Sequence, residues 1–311
     1  MTKTPINIWG NKEENKMAEM NFDGAFSDLK MKVMSESALQ AIYPELVKLQ
    51  DFAKNYTELE DRPGASIVIP TYDLSAAADF DVSSNNYASG ENEIKAAHVT
   101  LDKHLVKSVA ITDRDLADTG VQFVKDAAAG IASVIGRGLN AYVFGMFNST
   151  NIPLSASINL GTKAGATALY QVAADNGLDV NDSVVVLNPA QFSKLLQHVD
   201  FMQYGGTEAI RYGYVPGFCG FKSVVCSTNL PDGVDGVIVN RNTVGIASRY
   251  LAPLAGAYPS TWKAVDPNSG FTMGFRLFAD LATGTRYLAG EALVGASIFY
   301  DGRKSVRLIA G

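Results

Sequence analysis

Histidines are the residues of this chain best suited to metal binding, and two of them are close in sequence. His98 and His104 are six residues apart, so they share a face if both lie on one regular strand. A zinc site needs at least a third protein ligand, and His198 is far away in sequence. The spacing therefore favours a solvated strand face over a metal site.

Two pairs of aspartates have the spacing of general acid and base partners. Asp79 and Asp81 lie in a polar stretch typical of a loop. Asp113 and Asp115 lie where a helix is predicted to begin, and there they satisfy free backbone N–H groups and the positive end of the helix dipole. Capping explains the second pair, and neither pair predicts catalysis.

Cys219 and the nearby glycines do not form a nucleophile or nucleotide-binding motif. The strained turn that presents a nucleophile is missing, and the glycines lack the strand–G-x-G-x-x-G–helix order of a dinucleotide site. Residues 161–167 (GTKAGAT) lack the Gly-Lys-Ser/Thr ending of a phosphate loop. We predict no enzymatic activity, no catalytic residue, no cofactor and no metal. A cytoplasmic α/β enzyme with its site around Asn188 and Cys219 stays an alternative, and it would require a convergent acid, base or metal set.

The composition is that of a folded protein with few charges. Of 311 residues, 47% are hydrophobic and 19% charged, with a net charge of -6. A low charge count suits a subunit that buries much surface against copies of itself. Tight wrapping of nucleic acid needs clustered Lys and Arg, and the sequence has no such cluster. No membrane span or signal peptide is predicted, and the two cysteines suit a reducing compartment.

An extended hairpin is predicted in the first third of the chain. Residues 64–72 form a β-rich run that ends near a proline, and residues 73–97 are polar. The chain returns as a strand over residues 98–111, with apolar residues at alternate positions. A two-stranded hairpin of this length has little surface to fold against, so we expect contacts from outside the subunit to hold it.

Six residues are candidate subunit contacts. Three lie in the polar loop of the hairpin, and the others are tyrosines near glycines, where tight turns are predicted to pack aromatic rings at a subunit contact. They are Asn85, Tyr87, Glu91, Tyr204, Tyr212 and Tyr214.

One long helix follows the hairpin. From about Asp113 to Phe147 it would be roughly 50 Å long, and apolar residues spaced by three or four form one stripe. Gly136 and Gly138 lower helix propensity and are expected to bend or end the helix. The stripe consists of Val124, Ala128, Ile131, Ile135, Leu139 and Val143.

Shorter elements flank this helix. Helical spacing covers residues 22–54, with a break expected near Tyr43 because Pro44 follows it. A helix over 163–176 is expected to end at Gly177. A buried strand over 183–187 is followed by a helix from Pro189 to His198 that Asn188 caps. Strands are predicted at residues 223–226, 237–239, 244–247, 271–278, 292–300 and 305–309.

The order of these elements resembles the major capsid proteins of tailed bacteriophages, which have the Hong Kong 97-like fold. The resemblance covers about residues 63–311. It is carried by residues 67–72 (IVIPTY), 99–104 (VTLDKH) running into 108–113 (SVAITD), and then the long helix. Residues 184–196 (VVVLNPAQFSKLL) and 219–231 (CGFKSVVCSTNLP) are similar to consecutive segments of that family's axial domain.

The resemblance implies an α+β fold with four parts. Residues 1–62 would be an N-terminal arm, and residues 63–112 the extended β-hairpin loop with its strands. Residues 113–147 and about 244–289 would form the peripheral domain with its spine helix. Residues 148–243 and about 290–311 would form a mixed α/β axial domain.

The resemblance also implies a function. The chain would be a major capsid protein that self-assembles into pentamers and hexamers, forming an icosahedral head shell around double-stranded DNA without sequence-specific binding. Its partners would be itself, a scaffolding protein, a portal and, in some heads, a decoration protein, with no membrane. It would be assembled in the host cytoplasm and located in the virion. An encapsulin-like nanocompartment subunit is the alternative within the same fold.

Overall fold

The computed structural model describes residues 34–57, 66–73, 93–197, 214–252, 260–280, 285–300 and 304–310. Within these ranges the chain forms two six-stranded sheets, a two-stranded hairpin and several helices. The helices are α1 (residues 34–46), α2 (Asp113–Gly145), α3 (Lys163–Asp175) and α4 (Pro189–Leu196), with a 3-10 turn at Val180–Asp182. The α+β fold class predicted from the sequence is confirmed.

The strands lie on both sides of α2 along the chain, and most follow it. Their bounds are β1 Ala53–Asn55, β2 Ser66–Asp73, β3 Glu93–Thr100, β4 Lys103–Thr112, β5 Ser155–Ile158, β6 Ser183–Leu187, β7 Tyr214–Phe218, β8 Phe221–Cys226, β9 Gly236–Asn240, β10 Val244–Arg249, β11 Ser260–Val265, β12 Thr272–Asp280, β13 Thr285–Ile298 and β14 Ser305–Ala310.

The first sheet is organised around β13, its longest strand. The order is β1-β10-β13-β12-β11, and β4 also pairs with β13. Leu293 and Val294 pair with both β4 and β10, and residues 285–291 with both β4 and β12. A residue has only two strand neighbours, so β4 covers one edge of β13 while β12 and β10 follow each other along the other.

Helix α2 packs on this sheet along the predicted stripe. Ala128, Ile131, Ile135, Leu139 and Val143 are all buried, and Val124 is partly buried. The helix continues through Gly136 and Gly138 to Gly145. The expectation that these glycines would end the helix early is therefore wrong.

The two glycines are explained by close approach. A Cβ added at Gly136 would lie 2.7 Å from Ile42 of α1, and one at Gly138 would lie 3.4 Å from Leu105 of β4. Glycine lowers the helix propensity at these two positions, but its lack of a side chain lets α1 and β4 pack closely against α2.

The described part of the predicted arm, residues 34–57, belongs to the core. In α1 the side chains of Ala38, Ile42 and Leu46 are buried, and β1 pairs in parallel with β10. The break expected near Tyr43 is wrong, because Pro44 lies in the last turn of the helix, where it removes a single hydrogen bond while burial of the neighbouring apolar residues stabilises the turn. Residues 34–57 thus pack on the first sheet as a helix and a strand.

The second sheet has the order β5-β14-β9-β6-β8-β7. Its central strand β6 is buried throughout, as predicted. The Asn188 side chain accepts from the N–H of Gln191 and caps α4, and Gly177 (φ 70°) follows α3 as expected. The boundary predicted near residue 290 falls inside β13, which belongs to the first sheet, and β14 belongs to the second.

A buried carboxylate joins the two sheets. Asp51, in the turn between α1 and β1, accepts from the Ser223 hydroxyl at 2.7 Å and pairs with Lys222 Nζ at 3.1 Å. Ser223 is fully buried in β8. Because a buried carboxylate is stabilised only when it is paired and hydrogen-bonded, this contact fixes the α1–β1 segment against the second sheet.

Candidate subunit-contact surfaces

The β2–β3 hairpin has one face packed on its own subunit and one face in solvent. The strands pair antiparallel from Ser66–Thr100 to Asp73–Glu93. On the inner face Ile67, Ile69 and Val99 are buried, whereas Val68 on the outer face is 56% exposed. Period-2 alternation predicted over residues 98–111 therefore gave the buried position of Val99 correctly.

The base of the hairpin is held by the same subunit. Ile67, Ile69, Val99 and Leu101 form a buried cluster with Ala247 and Phe299. The expectation that only outside contacts would hold the hairpin is wrong for its described strands, because β10 and the end of β13 supply an apolar surface that periodicity in the hairpin itself does not reveal.

The hairpin leaves the body at a crossing over β13. A Cβ added at Gly295 would lie 2.2 Å from the carbonyl oxygen of Thr100 and 3.0 Å from the backbone nitrogen of Leu101. Real Cβ atoms do not approach backbone so closely, so the crossing between β3 and β4 requires glycine at this position.

A tyrosine on α2 holds the same crossing from the other side. The Tyr142 hydroxyl donates to Asp102 Oδ1 at 2.7 Å, and Lys103 Nζ lies 5.8 Å from the centre of the Tyr142 ring. Burial, and then the hydrogen bond and negative charge of Asp102, raise the pKa of Tyr142 to about 12. The direction of the hairpin relative to α2 is thus set by Gly295 and by this bond.

The raised pKa predicts a specific alkaline instability. Because the unfolded tyrosine ionises near pH 10 and the folded one near pH 12, the contribution of Tyr142 to stability is present below pH 10 and decreases as the pH rises through this range. We expect Tyr142→Phe to lose stability less steeply than wild type between pH 10 and 12. Urea unfolding at several pH values measures this, and identical slopes for the two proteins would contradict it.

Of the six candidate contact residues, the structure describes only the backbone of Tyr214. Asn85, Tyr87, Glu91, Tyr204 and Tyr212 are outside the described residues. Tyr214 is the first residue of β7, opposite Val225 of β8, and its side chain is outside the described part. Their role as subunit contacts stays a prediction.

The β7–β8 hairpin forms an edge of the second sheet. Its turn places Cys219 (φ 48°) and Gly220 (φ 85°) in the left-handed region, which matches a tight two-residue hairpin turn. Cys219 is exposed, and neither it nor the half-buried Cys226 is in a disulfide.

The histidines are not on one strand as their spacing suggested. His98 lies on β3 opposite Val68, whereas His104 lies on β4, because residues 101–102 interrupt the strand. His104 Nε2 is 3.3 Å from Glu291 Oε2, and Arg276 pairs with the other oxygen of this buried carboxylate. His198 is outside the described residues.

Asn188, one of the two residues of the alternative enzyme site, has structural hydrogen-bond partners. Asn188 bonds to Gln191 and donates to Asp235 at 2.9 Å, and burial raises the pKa of the Cys226 thiol. Among the residues that the structure describes, no group of three His, Cys, Asp or Glu side chains is placed to hold a metal ion. Asp79 and Asp81 lie outside these residues.

An open groove of about 520 Å³ runs between α1–β1 and the β11–β12 turn. The side chain of Asn55 on one wall donates a hydrogen bond to the carbonyl oxygen of Ser269 on the other wall, at 2.5 Å. Lys54, Arg241 and Asp266 are among its lining residues, so the groove carries both signs of charge.

One side of α2 is exposed. Residues Val124–Gly145 are long and apolar enough to cross a membrane by length and composition, although the sequence analysis predicted no span. Half of that window is buried inside the protein, because α2 packs on the first sheet. That pattern is typical of a core helix. The exposed residues, at positions 126, 130, 134, 137, 141 and 145, form one stripe along the helix.

The positioning residues Gly295, Tyr142 and Asp102 were missed by sequence reasoning. A glycine within the strand-rich region 285–298 is the available signal for Gly295, because glycine in a strand often marks close backbone approach. Nothing in the local sequence pairs Asp102 with Tyr142, which is 40 residues away.

One known protein family matches most of the chain. The phage capsid protein family matches residues 95–289, which is more than half of the chain. The protein therefore belongs to the phage capsid protein family.

Solved structures show the same fold at low sequence identity. The capsid of a native GTA particle matches with a TM-score of 0.53 at 14% identity, covering 86% of this chain and 90% of that one. The virus-like particle from Pyrococcus furiosus matches at 0.51 and 9%, covering 88% and 97%. The capsid of Cyanophage P-SCSP1u matches at 0.50 and 18%, covering 84% and 86%.

A comparison with curated protein sequences found no match. The family and the fold together identify a structural shell protein of bacteriophage capsids with the Hong Kong 97-like fold, as the sequence resemblance implied. Its place is therefore the virion, and its principal partner is itself.

Proposed function

We propose that this chain is the major capsid protein of a tailed phage and that it forms pentamers and hexamers in an icosahedral head shell around double-stranded DNA. Family membership carries this proposal. The net charge of -6 supports it, because a shell must enclose DNA without gripping it through clustered cations. The chain has no enzymatic activity in this proposal.

The two sheets suggest how the subunit divides in the shell. The first sheet with α2 would be the peripheral domain, and the second sheet with α3 and α4 the axial domain near the capsomer centre. Residues 1–62 would be the N-terminal arm, and its described part, residues 34–57, packs on the first sheet. Residues 63–112 would be the extended loop and its strands, and the loop between β2 and β3 would reach a neighbouring subunit.

The remaining partners follow from the same role. A shell of this kind would be assembled in the host cytoplasm with a scaffolding protein and a portal, and in some heads with a decoration protein. Contact between neighbours would use the loop residues Asn85, Tyr87 and Glu91 and the tyrosines 204, 212 and 214.

Electron microscopy of the purified protein tests the proposal. Expression of the chain, alone or together with the other head proteins of its phage, is expected to give closed icosahedral particles with pentameric and hexameric capsomers. A protein that stays monomeric at micromolar concentration in sedimentation, with its scaffold present, would contradict the proposal.

The predicted loop contacts give a sharper test. Deleting residues 85–91 is expected to leave the subunit folded but to block closed shells, because this polar segment adds little to an apolar core. Circular dichroism and thermal unfolding measure folding, and microscopy measures closure. A deletion variant that aggregates without folding would show that the loop serves the subunit's own core.

The match to the virus-like particle from Pyrococcus furiosus keeps a nanocompartment shell as the second candidate. Both candidates predict a closed shell, so the contents separate them. Nuclease-protected double-stranded DNA in particles from infected cells supports the phage head, and a protein cargo without DNA supports the compartment.

A further inference from the structure

A row of aromatic rings and lysines lies beside β10, just after the ends of β1 and β13. Lys54 Nζ is 5.3 Å from the centre of the Tyr56 ring, and Lys304 Nζ is 3.9 Å from the centre of the Tyr300 ring. The Tyr56 ring makes an edge contact with Phe299, with 5.9 Å between ring centres, and Phe299 directly precedes Tyr300. These five residues form the lysine–tyrosine patch.

The two lysines of the patch are held in place without losing their charge. A lysine over a tyrosine ring is attracted to the ring face but stays a full cation. The ion pairs between described residues include neither Lys54 nor Lys304. Because the ring contacts already order both side chains, a carboxylate that binds here gains charge-assisted hydrogen bonds at a small cost in side-chain entropy.

Arg241 adds a third positive charge beside the patch. The residue before it donates its N–H to the carbonyl oxygen of Lys304 at 3.0 Å, and Arg241 lines the open groove together with Lys54. The two carboxylates of this groove are already bound: Asp51 pairs with a lysine of β8, and Asp266 accepts from the backbone and a hydroxyl of the β11–β12 turn. The groove therefore presents an excess of positive charge next to the patch.

Tyr300 has an unusual backbone conformation. Its φ of 59° lies in the left-handed region, which is unfavourable for a bulky side chain. Such conformations persist mainly at binding and functional positions. Burial, and then the nearby Tyr300, raise the pKa of Tyr56, so the two tyrosines are close. The left-handed conformation thus places the Tyr300 ring under Lys304 and beside Tyr56.

The polar loop of the β2–β3 hairpin has the opposite charge. Residues 74–92 contain three carboxylates, at positions 79, 81 and 91, and no Lys, Arg or His. Asp79 and Asp81 are two residues apart, so in an extended segment both point to the same side, about 7 Å from each other. Two carboxylates on one side of the loop complement the two lysines of the patch.

The described strands direct this loop away from the patch of its own subunit. Thr71 and Lys95 pair two residues before the strands end, and they line a narrow cleft together with Phe299 and Tyr300. The strands therefore pass the patch before the loop begins at residue 74. A loop that continues in the direction of its strands leaves its own subunit and can meet the patch of a neighbour.

We propose that the loop carboxylates Asp79 and Asp81 of one subunit bind the two lysines of the lysine–tyrosine patch on a neighbouring copy of this chain. This inference rests on the proposed function, in which the loop between β2 and β3 reaches a neighbour, and it names the surface that receives the loop. Loop and patch are different surfaces, so the contact is head-to-tail. Contacts of this kind can close into rings, as a capsomer requires.

Charge reversal on either side tests the contact. A patch variant (Lys54→Glu, Lys304→Glu) and a loop variant (Asp79→Lys, Asp81→Lys) each place like charges opposite one another. We expect each to lower the yield of closed shells by roughly tenfold or more. The variant with all four substitutions restores opposite charges in every contact, and we expect a yield within about threefold of wild type.

Lys107→Glu, Lys263→Glu is the matched control. Both lysines are exposed on strands outside the patch, so this variant changes the net charge as much as the patch variant does without altering the contact. We expect wild-type yields of shells, and circular dichroism and thermal unfolding of the free subunits check that every variant folds. A control that loses as many shells as the patch variant would show that net charge, and not the contact, is responsible.

Cross-linking identifies whose loop occupies the patch. In a Cys219→Ser, Cys226→Ser background, which leaves no other cysteine, one variant carries Lys304→Cys and a second carries Asp81→Cys. Shells assembled from a mixture of the two should give cross-linked dimers with a short bis-maleimide, and shells of either variant alone should give none. A chain with both cysteines should give a ladder of linked chains.

The outcomes are separable. A folded four-fold variant with no more shells than the patch variant, mixed shells without cross-links, or links formed only within one chain would each overturn the contact and leave the proposed function intact. Patch-variant shells that close normally but hold less nuclease-protected DNA would also overturn it, and they would assign the patch to DNA. Absence of shells from the wild-type chain with its head proteins would overturn the proposed function itself, and the inference with it.

Discussion

Replacing Ile131 with aspartate is expected to prevent the subunit from folding. Ile131 is 1% exposed in the middle of α2, and a Cβ added at Gly290 of β13 would lie 2.3 Å from its Cγ2 atom. The side chain thus sits directly on the first sheet. Burying an unpaired carboxylate costs several kcal/mol, which is comparable to the roughly 5–15 kcal/mol stability of a whole protein. Soluble yield, circular dichroism and thermal unfolding measure the effect.

Val134→Asp is the matched control for folding. It introduces the same carboxylate three residues further along α2, but on the exposed stripe, so the melting temperature should stay close to wild type. Lys125, next to Val124 of the buried stripe, is half-buried and would be a weaker control. A soluble Ile131→Asp subunit with wild-type circular dichroism and melting temperature would show that α2 does not pack on the sheet as described.

Gly295→Ala is expected to give the second-largest effect. The added methyl group would lie 2.2 Å from the Thr100 carbonyl oxygen, and backbone cannot move away as a flexible side chain can. Forcing extra volume into a packed site costs about 1–3 kcal/mol. We therefore expect a lower melting temperature and, because the crossing sets the direction of the hairpin, fewer closed shells among the subunits that fold.

Gly130→Ala is the control for the glycine substitution. The same methyl group meets open space there, and alanine is about 1 kcal/mol more favourable than glycine in a helix, so the subunit should melt at a higher temperature. If Gly295→Ala instead melts like wild type and assembles normally, the hairpin does not cross β13 at the described distance.

The tight crossing at Gly295 also explains why the hairpin needs little else to orient it. Thr100 and Leu101 lie against β13, and Asp102 accepts from Tyr142 on α2. One backbone contact and one side-chain bond thus set the direction of a two-stranded projection, while the buried cluster with Ala247 and Phe299 holds its base. The substitutions at Gly295 and Tyr142 therefore affect the same structural feature through different contacts.

The sequence by itself determined the elements whose signals are local. The stripe on α2, the end of α3 at Gly177, the Asn188 cap of α4 and the buried strand β6 are each specified within a few residues, by periodicity, backbone freedom or capping. The order of these elements was enough for the fold and family. The domain division and the loop contacts stay predictions.

The tertiary structure decided what distant segments do to each other. Pairing of β4 with β13 joins residues between 173 positions (Thr112 and Thr285) and 191 positions (Lys103 and Val294) apart, and the Ser223–Asp51 bond spans 172 positions. The incorporation of residues 34–57 into the core and the close approach at Gly136 are of the same kind. The local sequence does not specify which distant residue a hydrogen-bonding group or an apolar side chain will contact. Burial and packing of the whole chain selected these contacts.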